Sequence, residues 1–136
     1  MQALRGMAVL TLVLLTIQGW TGDFANLFAS FPAGSVGAGV GGFWGAVGGA
    51  GSIVSYHAVE AVVLLACSVA VLVLSLRQRI GRLFAILGAA SVISAAVGGI
   101  LFVLSGYQNN ANSAQMGGSF IGAYAFYFLV LYSTKR

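Results

Sequence analysis

From Ile53 to Leu76 the chain runs 24 residues without a lysine or arginine and with a single acid. As a helix, at about 1.5 Å per residue, this stretch reaches about 36 Å, more than the roughly 30 Å hydrocarbon core of a bilayer. It predicts a membrane-crossing helix, closed at one end by Arg77, Arg79 and Arg82, which hold that end in water. Near the opposite end it carries His57, the only histidine, and Glu60, one of two acids in 136 residues. Three positions apart on a helix, these two side chains sit on one face. At about 3.6 residues per turn His57, Leu64, Ser68 and Ser75 share a stripe, with Glu60 and Cys67 along its edge, that is expected to face protein rather than lipid. Ionisable groups inside a membrane are costly, so His57 and Glu60 are the chain's candidates for chemistry.

The remaining sequence repeats the pattern. With 60% hydrophobic and 6% charged residues and a mean hydropathy of +1.00, it has far too little charge for a soluble domain. Apolar runs at about 3–20, 83–105 and 116–132 join 53–76 to predict an all-α integral membrane four-helix bundle, a single domain over 1–136 with its lipid-facing surface in the bilayer. The first run has Arg5 near its start and only Gln18, Gly19, Trp20, Thr21, Gly22, Asp23 after it, a poor cleavage site, so an uncleaved helix is expected. Trp20 suits an interfacial anchor. The basic residues Arg5, Arg77, Arg79, Arg82, Lys135 and Arg136 all fall on one side of such a bundle. The excess of positive charge in cytoplasmic loops then predicts a multi-pass protein of the cell membrane with both termini cytoplasmic. The net charge of +4 thus reads as a topology signal rather than a nucleic-acid surface. Cys67, the only cysteine, permits no intrachain disulfide and reads as a small core residue.

Between the first two runs the composition changes. Thr21 to Gly51 has no Lys or Arg, contains the only proline, Pro32, and reads as a long glycine-rich outer connection. Gly37, Gly41, Gly45 and Gly49 recur every four residues, which on a helix makes a flat strip for close packing. Nine glycines from Gly34 to Gly51 favour instead an irregular glycine-rich outer loop covering the bundle mouth, because each costs about 1 kcal/mol relative to alanine in a helix interior. The last run is expected to follow a polar, uncharged loop from Gly106 to Gln115 and to carry Gly118 and Gly122 four apart, a second small face for packing. A third extends from Gly88 through Ser91, Ala95 and Gly98 to Ser105.

No phosphate-binding loop, zinc-ligand spacing, nucleophile elbow or carboxylate pair occurs, which sets aside the common soluble-enzyme chemistries. For His57 three roles stay open: a structural hydrogen bond, ligation of haem or another metal, and proton transfer. A helix bundle can hold haem b between its helices with imidazole as axial ligand, and Met116, expected at the same outer level, is the sixth-ligand candidate. For Glu60 a partner at a helix end or in a loop is expected, with Gln115 as a further polar residue at that level.

A histidine opening the second helix, a basic turn, a Gln-Asn loop and a Gly-rich fourth helix resemble small prokaryotic four-helix membrane families. Some of those are similar in layout to b-type cytochromes and to halves of haem A synthase, which carry a histidine on the fourth helix where this chain has Gln115 and Met116. Arg5 together with Val59-Glu60 resembles the DoxX-type family, a likeness that implies association with respiratory or sulfur-oxidising membrane complexes. Two functions follow as expectations: a structural or accessory subunit, or self-assembling component, of a larger membrane complex, and a b-type haem electron carrier using His57. A channel or transporter would require several copies, since so few polar residues do not line a pore. The surplus of small faces favours homo-oligomers or other membrane subunits as partners.

Overall fold

The computed structural model describes residues 1–31 and 36–135. It is all-α, with α1 over Gln2–Phe28, α2 over Gly39–Gly49, α3 over Ser52–Gln78, α4 over Arg82–Leu104 and α5 over Asn110–Ser133. Among the described residues there is no strand. All but α2 are long and apolar enough to cross a membrane, which marks this as a membrane protein. Pro32 and Arg136 lie outside the described residues.

The four long helices form a closed square in which α1 packs on α3, α3 on α4, α4 on α5 and α5 back on α1. In α1 the buried residues are Leu4, Ala8, Thr11, Leu15, Gln18 and Ala25, a spacing of alternately three and four that keeps one narrow seam inward. The seam of α3, with Glu60, Leu64, Ser68, Val71 and Ser75 at steps of four, four, three and four, likewise keeps to one face. The sequence expected Leu64, Ser68 and Ser75 to face protein, and they do. The outward faces remain apolar, with Val13, Val62, Val69, Ile86, Ile93 and Ile121 all exposed to the surroundings as lipid-facing positions require.

Small residues set the helix distances. The tightest pair is α4 with α5, where a Cβ on Gly88 would lie 2.9 Å from Cζ of Tyr127 and one on Gly98 would lie 3.0 Å from the Asn112 carbonyl oxygen. Tyr127 is fully buried, and its hydroxyl crosses the centre of the square to hydrogen-bond Ser68 Oγ at 2.6 Å. The absent side chain at Gly88 therefore gives the ring its seat, and Ser68 satisfies the hydroxyl that the seat would otherwise strand in a dry interior.

Two boundaries differ from the sequence reading. Helix α1 continues past Trp20 through Gly22 and Asp23 to Phe28 because α3 packs against that extra turn. Helix α5 starts at Asn110, inside the expected polar loop, with Asn109 Oδ1 accepting the Ala111 amide as N-cap. The glycine-rich outer loop favoured by the sequence is corrected over Gly39–Gly49, which forms the helix α2. Val47 and Ala50 bury against the α3 and α4 ends with Val54, Val103 and Tyr107, and the Tyr107 hydroxyl donates to the Ala46 carbonyl at 2.9 Å. Tertiary burial of one face thus offsets the poor propensity of glycine. Gly51, at φ +109, makes the sharp turn from α2 into α3.

Candidate functional site

The polar site is built between α1 and α3, near the end that α2 covers. Two pairs, each one helical turn apart, face one another: Gln18 with Thr21 on α1, and His57 with Glu60 on α3. Gln18 Nε2 lies 3.2 Å from the His57 carbonyl oxygen and 3.1 Å from His57 Nε2. Thr21 Oγ1 lies 3.0 Å from His57 Nδ1, 3.3 Å from Glu60 Oε2 and 3.1 Å from the Gln18 carbonyl oxygen. The imidazole lies over Gly22, where a Cβ would come to 3.1 Å of its Cε1. A larger residue at position 22 would push the ring off α1.

The donors and acceptors impose a direction on this cluster. A carbonyl oxygen only accepts, so the His57 carbonyl fixes the NH2 side of the Gln18 amide toward the imidazole. In the neutral ring Nε2 is then the acceptor, Nδ1–H donates to Thr21, and the threonine hydroxyl donates onward to Glu60 Oε2 or to the Gln18 carbonyl. The result is a line from amide to imidazole to hydroxyl to carboxyl, capable of passing a proton between His57 and Glu60. Glu60 is 6% exposed and Gln18 8%, and neither Glu60 Oε1 nor Gln18 Oε1 accepts a hydrogen bond from the described residues. Two acceptors thus face inward beside a ring whose nitrogens are both engaged.

Haem does not fit this arrangement. Axial ligation requires a ring nitrogen whose lone pair faces the iron, but Nε2 faces Gln18 and Nδ1 faces Thr21. Met116 packs instead against α4, its sulfur 3.4 Å from where a Cβ on Gly99 would lie. Gln115 also joins α4, donating from Nε2 to the carbonyl and hydroxyl oxygens of Ser94 at 3.3 Å, and Ser119 donates to the same hydroxyl at 2.9 Å. Of the four candidate residues, His57 and Glu60 therefore share one cluster, while Met116 and Gln115 belong to the α4–α5 seam. Among the described residues no three His, Cys, Asp or Glu side chains come together as a metal site.

Sequence reasoning missed Gln18 and Thr21. Their signal was their spacing: Gln18 lies on the buried seam with Leu4, Ala8, Thr11 and Leu15, and a polar residue on such a seam requires a partner across it. The glycines also divide. Gly122 is used inside the bundle, with Ser91 Oγ 3.2 Å from its would-be Cβ, whereas a Cβ on Gly118, Gly41 or Gly45 would meet nothing within 4 Å among the described residues. Gly37 precedes α2 and meets only the Gly42 backbone, and Gly49, the last residue of α2, is exposed.

Comparison with models of protein families, with curated proteins and with solved structures found no match to this chain. The likenesses to b-type cytochromes, haem A synthase and DoxX-type proteins rest on the quoted residues alone.

Proposed function

We propose that this protein is a structural or accessory component of a larger membrane assembly, formed with further copies of itself or with other membrane subunits. The observation that carries the reading is the free face of α2. Val47, Phe43, Ala46 and Ala50 turn toward the bundle, which leaves Gly41 and Gly45 on the opposite side, with none of the described residues packed on them, beside the exposed Val40 and Trp44. Close packing between membrane helices depends on dispersion and small residues rather than on the hydrophobic effect, and a glycine strip is most useful where another backbone approaches it. Gly118 supplies a second open position on α5, while Gly88, Gly98 and Gly122 are already used within the chain. Both termini are placed on the cytoplasmic side of the cell membrane in this reading, with α2 and the polar cluster near the opposite face.

The test is the assembly state of the purified protein in mild detergent, by native mass spectrometry and cross-linking. Wild type is expected as an oligomer or with co-purifying membrane subunits. Gly45→Leu is expected to disrupt that state and leave insertion intact, and Gly118→Leu to do the same if α5 shares the contact. A monomer without partners, unchanged by either substitution, would refute the reading.

The hydrogen-bonded line from His57 through Thr21 to Glu60 favours a second role, proton handling within the assembly. Infrared difference spectra of wild type and Glu60→Gln across a pH series test it. A carboxyl band that appears and disappears with pH in wild type alone is expected, and identical spectra would exclude the role.

A further inference from the structure

At the opposite end of the bundle from the polar cluster, an open groove of about 840 Å³ lies where the α3–α4 turn meets the end of α5. Arg79, Arg82 and Lys135 line its rim, Tyr132 lies beside them, and Leu83 and Leu129 form part of its apolar wall. The cations come from different places in the chain and meet no acidic side chain among the described residues: the two acids, Asp23 and Glu60, belong to the other end of α1 and α3. Lys135 Nζ sits 5.5 Å from the Tyr132 ring centroid, which steadies the ammonium at the groove. The start of α4 opens into the same region with Gly81 as N-cap, no side-chain cap and no acid in its first turn, so its amide end adds positive potential.

The backbone adds an independent sign. Arg79 ends α3 at φ +59, a left-handed conformation that glycine adopts freely and a long side chain does not. The turn holds a cation where a glycine would be the relaxed choice, and that cation lines the groove. Strain kept at a residue facing a cleft is a mark of use.

We propose that this groove binds the headgroup of an anionic phospholipid from the surrounding bilayer. The phosphate meets Arg79, Arg82 and Lys135, and the acyl chains run down past Leu83 and Leu129. The source is lipid rather than free phosphate because the cations rim a wall that continues into the lipid-facing surface, with Leu83 62% exposed. A soluble anion would have no use for that wall. Basic pockets between helices on the cytoplasmic side are suited to such headgroups.

Native mass spectrometry of the full chain, released from detergent with phosphatidylglycerol or phosphatidylcholine of matched acyl length, reads the binding directly. Wild type is expected to retain phosphatidylglycerol selectively, and equal retention of the two lipids would overturn the proposal. Each cation near an anionic headgroup is worth about fivefold in affinity. Arg82→Gln and Lys135→Gln are therefore each expected to lower phosphatidylglycerol affinity about fivefold, and Arg77→Gln, an equal charge change on an exposed residue outside the groove, to leave it unchanged. A loss with Arg77→Gln as large as with the groove variants would reduce the effect to bulk charge and refute the site. Arg79→Gly removes a charge while relaxing the turn, so reduced lipid selectivity with undiminished thermal stability supports the proposal, and unchanged selectivity counts against it. Inorganic phosphate at millimolar concentration is expected not to displace the lipid. Displacement would assign the groove to a soluble anion and refute the lipid reading.

Discussion

Removing the hydroxyl of Thr21 while keeping its shape tests whether the polar cluster holds α1 to α3. Thr21→Val deletes two interhelical contacts, to His57 Nδ1 at 3.0 Å and to Glu60 Oε2 at 3.3 Å, and leaves both partners in a largely dry setting. Interhelical hydrogen bonds in membrane bundles average about 0.6 kcal/mol each and reach about 1.7. A buried group left unsatisfied costs about 1–3 kcal/mol. The second contact is long and Thr21 is only half-buried, so the expected loss is about 1–2 kcal/mol, roughly a 5- to 30-fold shift in the folding equilibrium. The assay is reversible unfolding of the purified protein by SDS in mixed micelles, followed by helicity. Thr21→Ser keeps the hydroxyl and is expected to recover most of the loss. Thr16→Val controls for polarity alone, because the Thr16 hydroxyl bonds only the Leu12 carbonyl of its own helix and faces outward. If Thr21→Val costs no more than Thr16→Val, the cluster does not join the two helices and the reasoning fails.

Gly88→Ala is expected to cost about 1–3 kcal/mol in the same unfolding assay, because its Cβ would meet the buried Tyr127 ring at 2.9 Å. A double-mutant cycle of Ser68→Ala with Tyr127→Phe is expected to give a coupling of about 0.6–1.7 kcal/mol, and additivity would show that the 2.6 Å contact contributes nothing. Tyr107→Phe is expected to loosen α2 while sparing the four long helices, seen as faster amide exchange confined to Gly39–Gly49. Burial pushes the Tyr107 hydroxyl above its ordinary value of 10.0. The folded state thus disfavours the phenolate, so the contribution of Tyr107 to α2 docking is full below about pH 10 and is lost as pH rises through the higher folded value. Amide exchange in α2 that accelerates only above that point checks the sign.

The four crossings were legible in the sequence because a bilayer turns hydropathy into length: a run such as Ile53–Leu76 has no other stable use. The inward stripe of α3 was legible for a related reason, since Ser68 and Ser75 would be wasted against lipid. Helix ends were harder to read. Gly22 and Asp23 look like a boundary, and the contacts that order the extension come from far along the chain: His57 and Glu60 on Thr21, and the cluster around Val47 and Val54 that buries Ala25. Helix α2 was ambiguous because glycine propensity and the four-residue period point in opposite directions, and the deciding contacts come from Val54, Val103 and Tyr107, distant in sequence. His57 and Glu60 announced themselves by charge, whereas Gln18 and Thr21 carry none and became visible only once the seam of α1 was placed.

The two ends of the bundle use polar groups in opposite ways. At the α2 end, two pairs of side chains satisfy most of one another's hydrogen bonds between α1 and α3, so the polarity is turned inward and fixes the register of those helices. At the other end, Ser75 donates to the Ile80 carbonyl and closes the α3–α4 turn locally, and Arg79, Arg82 and Lys135 are exposed and line the groove, with Arg82 making only a long contact to the Leu76 carbonyl at 3.5 Å. Charge satisfied from outside the chain can respond to the composition of the membrane, and a cluster satisfied mainly from inside cannot. On both readings, Arg82→Gln and Lys135→Gln should change lipid selectivity without altering the unfolding free energy by more than a few tenths of a kcal/mol, as expected for exposed charges. Thr21→Val should do the reverse. A groove variant that unfolds as readily as Thr21→Val would show that the basic end is part of the scaffold, and the division between the two ends would fall.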